Sequence, residues 1–211
     1  MKIQKKLLAR IKETELLMLE CPWAEKEFYG WWLSQTFHFV SHTSRFLSLA
    51  AGCAQLNETD LHSFFLKHIP EETGHEKICL TDLKTLNLHV SAESENTKSF
   101  HSFQRNKILT ESVANHLGYM LFLENLSITV GIKLLNILQT HYPKMSLKFL
   151  RLHTEEDIEH VQKAIEFAEQ LPSEKKEIVT RAIHESCEGY HRILKEGIAR
   201  FKKPEAFKKV A

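Results

Sequence analysis

Glycine and proline are scarce in this chain, seven and five among 211 residues, which leaves little for the turns of an all-β fold. The four cysteines, Cys21, Cys53, Cys79 and Cys187, form no CxxC pair, so neither a zinc knuckle nor a disulfide framework is implied. No excess of one charge exists: 28 basic residues face 27 acidic ones, a net charge of +1. Nothing therefore suggests nucleic acid or a membrane surface as a partner. The opening stretch MKIQKKLLARIKETELL is broken by charge and does not read as a signal peptide. No apolar run approaches the roughly 20 residues of a membrane span. A reducing cytoplasm is the simplest compartment, and the length suits one domain, 1–211, with a buried core.

What the chain has in quantity is helical periodicity and histidine, thirteen of the latter. A first amphipathic helix covers about 3–20 and stops before Pro22, which disfavours helix at the residue preceding it. An aromatic stretch follows, EKEFYGWWLSQTFHFVSHTSRFLSLAAG, in which Phe28, Trp32, Gln35 and Phe39 share a face. A helix over about 58–86 opens on NETD, a cap candidate, and carries Pro70, which predicts a kink near 66–70. Residues 87–107 are polar and aperiodic and read as a long loop. A long, mostly buried helix then covers about 108–142 with Pro143 just beyond it, followed by helices over 144–170 and 173–201. The count is about seven helices and no strand, an all-α single domain.

Three places could carry chemistry. Residues at i, i+4 and i+7 lie within about 40° of the first on a helix, because each residue advances ~100°. His153, Asp157 and His160 have this spacing, and Phe149, Leu150, Ala164 and Phe167 extend the stripe with apolar residues. An inward face bearing two imidazoles and a carboxylate needs partners. Glu72 and His75 form an ExxH pair, as di-metal carboxylate bundles use. Glu72 lies on the apolar stripe Phe65, Ile69, Cys79 and Leu83, whereas Glu71 shares a mixed one with Lys67 and Asp82. His68 and Glu71 are reserve ligands. Glu124 sits in the most apolar segment of the chain, among Leu117, Met120, Leu121 and Ile128, and glutamate is rarely buried without a partner.

Imidazole and carboxylate donors without thiolate suit two iron or manganese ions better than structural zinc. Each piece also has an ordinary structural explanation: a solvated acidic helix, a chance ExxH, or a buried pair of Glu124 with a cation such as Arg45. A rival triplet, His184, Glu188 and His191, repeats the spacing, but its stripe runs through Arg181 and Lys195 and reads as exposed.

The order of these motifs, ExxH, then a glutamate on a buried helix, then HxxxDxxH, resembles the haem-oxygenase-like di-metal oxidases. That superfamily also holds the TenA thiaminases, the oxidase of PQQ synthesis and a chlamydial death-domain-associating protein. The resemblance covers about 23–200 and implies a seven-helix haem-oxygenase-like bundle with a non-haem di-iron centre. Its ligands would be Glu72, His75, Glu124, His153, Asp157 and His160. The activity implied is O₂-dependent oxidation or oxygenation of a small molecule, with Tyr119, Thr129 and Tyr29 as cavity residues. A homodimer is among the assemblies open to such a chain. Leu123 and Phe149 stand where the chlamydial relative's tyrosines would be expected, and Lys133 lies near its lysine position without matching it. Its self-sacrificing chemistry is therefore not carried over. Two other readings remain on the same scaffold. A thiaminase-like hydrolase would need a nucleophilic cysteine such as Cys79, and a haem protein a proximal histidine such as His38 or His42. A metal-free binding or interaction protein is the alternative outside the enzymes.

Overall fold

The computed structural model describes residues 2–202, except for the side chains of residues 156–160. Among the described residues there are nine α-helices and no strand: α1 (Ile3–Leu19), α2 (Lys26–Val40), α3 (Thr43–Cys53), α4 (Thr59–Glu72), α5 (Glu76–Thr85), α6 (Glu95–Thr110), α7 (Ala114–Leu138), α8 (Lys148–Gln170) and α9 (Ser173–Phe201). The all-helical class agrees with the periodicity.

Helix α1 is amphipathic, burying Ile3, Leu7, Ile11, Thr14 and Met18 at helical spacing. The aromatic stretch is divided between α2 and α3 by a break at Ser41–His42. Helix α2 is buried on nearly every side, and its rings pack edge-on and stacked, Trp23 on Phe28 at 4.9 Å and Tyr29 on Tyr142 at 4.9 Å.

The predicted helix over 58–86 is two helices. Pro70 lies inside α4, which continues to Glu72. The break comes at Thr73, which is extended, and at Gly74, whose φ of +99° is a conformation only glycine adopts readily. The NETD cap is not made by a side chain: Glu58 occupies the cap position and pairs instead with Lys175.

The predicted loop over 87–107 is also corrected. From Ser94, whose hydroxyl accepts from the Thr97 N–H at 3.2 Å, the chain forms α6. Its inward stripe is Thr97, Phe100, Gln104 and Lys107, mostly polar, so a reading of apolar period passes over it. Lys107 is buried because Glu111 at 2.7 Å and Glu185 at 3.1 Å receive its ammonium group.

Helix α7 begins at Ala114, later than predicted, and is the core helix. It is long and apolar enough to cross a membrane by length and composition, contrary to the expectation of no such run. Most of it is buried against α1, α6, α8 and α9. Gly131 is the point of closest approach to α8: a Cβ there would stand 2.4 Å from Cγ2 of Thr154. Asp82 of α5 is fully buried and accepts from the N–H groups of Lys148 at 3.2 Å and Phe149 at 2.9 Å. This carboxylate caps the first turn of α8 and ties α5 to it.

Candidate metal centre

Glu72 ends α4, His75 immediately precedes α5 and His153 lies in the second turn of α8. One donor atom from each of the three lies within 4.8 Å of the others. Glu72 and His75 therefore do not share one helix face, as the ExxH spacing suggested. The left-handed turn at Gly74 folds them together, with His75 Nδ1 3.4 Å from Glu72 Oε2. The rings of His75 and His153 meet edge to face at 5.0 Å.

Two of the three donors are set for ligation by their surroundings. Nδ1 of His153 lies 2.8 Å from the Phe149 carbonyl oxygen, which can only accept, so Nδ1 carries the proton and Nε2 the donor lone pair. Burial pushes the Glu72 carboxyl up, but the adjacent His75 and the fields of His153 and His68 outweigh it and hold the group below its usual range. Glu72 is thus an ionised oxygen donor. A half-buried set of one carboxylate and two imidazoles fits iron or manganese.

Glu72 and His153 line a cavity of about 90 Å³ that Glu124, 9% exposed on α7, also lines. Most of the remaining wall is carbon, including Phe39, Val40, Met120, Leu126, Phe149 and Leu150. The side chains of Asp157 and His160 lie outside the described residues. Of the reserve ligands, Glu71 is exposed, and His68 is half-buried with Nδ1 donating to the Phe64 carbonyl oxygen at 2.8 Å.

Among the cavity candidates, Tyr119 lines the wall. Tyr29 does not: its hydroxyl donates to the Ser146 carbonyl oxygen at 2.9 Å beneath Tyr142. Thr129 is also off the wall, donating to Asn125 Oδ1 at 3.2 Å. Thr36 of α2 does line the cavity. Sequence reasoning missed it because the aromatic stripe pointed to Gln35, whose amide instead holds the segment around Ser91–Ser94.

The rival triplet has a different setting. His184 and Glu188 are exposed, and His191 Nε2 lies 2.9 Å from the Thr14 hydroxyl and 3.4 Å from Cys187 Sγ. Arg45 is exposed and donates to the Ser41 carbonyl oxygen. His38 lies 2.9 Å from the Ser91 carbonyl oxygen, and His42 stacks on His101; neither lines the cavity. Cys79 is fully buried and burial pushes its thiol well up.

Solved structures share this fold. A domain of unknown function with a heme oxygenase-like fold from Shewanella denitrificans superposes with a TM-score of 0.84 at 20% identity, over 94% of this chain and 93% of that one. A TenA homologue from Pseudomonas syringae pv. tomato gives 0.75 at 11% identity, over 93% of each chain. A CADD-like protein of unknown function from Nostoc punctiforme gives 0.69 at 20% identity, over 90% and 89%. At such identities the likeness establishes the haem-oxygenase-like fold. No curated protein matches the chain in sequence. Residues 30–191, which include the donor cluster and all of the cavity wall but Met18, match the family described as iron-containing redox enzymes, and this chain belongs to that family.

Proposed function

We propose that the protein is a non-haem di-iron oxidase or oxygenase that uses O₂ to oxidise a small, largely apolar molecule. The observation that carries this reading is the convergence of Glu72, His75 and His153, two of which, Glu72 and His153, line an apolar cavity that Glu124 also lines. In this reading those four residues hold iron together with Asp157 and His160, which stand one and two turns beyond His153 in the sequence of α8. Manganese would suit the same donors. Bound iron supplies the redox capacity for O₂ activation. The protein supplies an ionised carboxylate at Glu72, an imidazole at His153 oriented by the Phe149 carbonyl, and carbon walls that exclude water. Its partners are then O₂ and a small molecule, and the cytoplasm is the proposed location.

A thiaminase-like reaction would need an accessible cysteine, and among the described residues no cysteine lines the cavity. Metal analysis of protein produced with iron tests the proposal. About two irons per chain, with an absorption band appearing when the ferrous protein meets O₂, is the expected result. Protein that takes up no iron would overturn it.

A further inference from the structure

Two polar groups in the cavity wall have no role in holding metal. Thr36 and Tyr119 are 3% and 2% exposed, both line the cavity, and neither hydroxyl has a hydrogen-bond partner among the described residues. Buried hydroxyls are ordinarily satisfied, since leaving one unpaired is unfavourable. Other hydroxyls on the same helices follow that rule. Ser34 donates to the Gly30 carbonyl oxygen at 2.7 Å, and Ser41, next to the end of α2, donates to that of Phe37 at 2.6 Å. On α7, Ser127 donates to the Leu123 carbonyl oxygen at 3.2 Å. Thr36 has the Trp32 carbonyl one turn behind it and does not use it. Trp32 and Tyr190, also in the wall, satisfy each other, Trp32 Nε1 donating to the Tyr190 hydroxyl at 3.0 Å.

The wall restricts what could complete these two hydroxyls. No lysine or arginine among the described residues lines it, so a ligand carrying fixed negative charge would be desolvated without a cationic side chain opposite. The carboxylates Glu72 and Glu124 belong to the donor set. Along α7, Tyr119 and Glu124 are five residues apart, roughly 7.5 Å of helix axis. An oxygen anchored at Tyr119 leaves the rest of a chain-like ligand to pass the carboxylates.

We propose that Thr36 and Tyr119 form the polar anchor of the substrate site. The ligand they select is an uncharged, mainly aliphatic molecule bearing one hydroxyl or carbonyl oxygen. This rests on the reading of the cavity as a substrate site and is independent of the number of metal ions. Both side chains are specificity-determining residues that act by hydrogen bonding to the ligand, apart from the metal donors.

The test uses metal-free protein titrated by calorimetry with 1-hexanol, with hexanoate as the charged probe and with 1-fluorohexane as the probe lacking a hydroxyl. The parent protein should bind 1-hexanol at least about tenfold more tightly than hexanoate. Thr36→Val and Tyr119→Phe should each weaken 1-hexanol binding roughly three- to tenfold while leaving 1-fluorohexane binding unchanged. The retained fluorohexane binding also shows that the variant cavity is intact. Variants that bind 1-hexanol as the parent does would overturn the anchor, as would equal affinity for hexanoate or a parent that binds none of the probes. Iron loading of the same proteins separates the two proposals. Discrimination for 1-hexanol without iron uptake sinks the oxidase and leaves the anchor, whereas iron uptake without that discrimination sinks the anchor alone.

Discussion

Helices α8 and α9 each carry two histidines and an acid at i, i+4 and i+7, yet their first histidines have opposite surroundings. His153 of α8 stands at the cavity wall, one donor atom within 4.8 Å of those of Glu72 and His75. His184 of α9 is exposed, and so is Glu188, while His191 turns to Thr14 of α1. The spacing is the same, so spacing does not distinguish them. What differs is the next helix. Helix α8 faces a chain break at Gly74 that delivers a carboxylate and an imidazole, whereas α9 faces the side of α1, which offers Thr14.

The sharpest way to break this comparison is to remove one histidine from each helix. His153→Ala should abolish most iron binding, a loss exceeding the roughly 10- to 100-fold weakening that follows removal of a mere outer partner. His184→Ala should leave iron content unchanged by elemental analysis, and the reverse outcome would exchange the roles of the two helices. A smaller effect is expected from Asp82→Ala, which strips the acceptor from the Lys148 and Phe149 N–H groups at the start of α8. Urea unfolding should show a loss of about 2 kcal/mol, accompanied by weaker iron binding because His153 lies one turn beyond that cap.

Buried imidazoles sharpen the contrast further. His116 is fully buried, its Nδ1 accepting from Gln104 Nε2 at 3.2 Å, and burial pushes its pKa down from 6.5 to about 3. Its depressed value makes the native state favoured above the unfolded-state pKa, and this contribution drains away as pH falls from about 6.5 toward about 3. Metal-free protein should therefore lose stability between about pH 6.5 and 5.5, above the carboxylate range, and His116→Asn should flatten that limb of the urea midpoint. The smallest effect is expected on α9. His191→Asn removes the contact with Thr14 and should cost about 1 kcal/mol while iron content stays as in the parent.

Much of this was legible in the sequence where the signal was local. The stripe through Phe65 and Ile69 on α4 set Glu72 inward and Glu71 outward, and their burial agrees, although Cys79 and Leu83 of the expected stripe lie on α5 beyond the break. The apolar neighbours of Glu124 marked it as buried, and it is. Helix α6 was illegible because its inward stripe contains Gln104 and Lys107, whose burial depends on partners from other helices, His116 and Glu185. Thr36 was illegible for a related reason. Its neighbours Trp32 and Phe39 look the same whether the face they share meets packed side chains or a cavity.

The sequence by itself determined the helical class and the apolar faces that must be buried, because period and hydropathy belong to each helix alone. Only the tertiary structure decided that α4 and α5 separate at Gly74, that Asp82 holds the start of α8, and that Glu72, His75 and His153 converge. A donor cluster is a meeting of separate helices in space, and no property of a single helix encodes the distance between them.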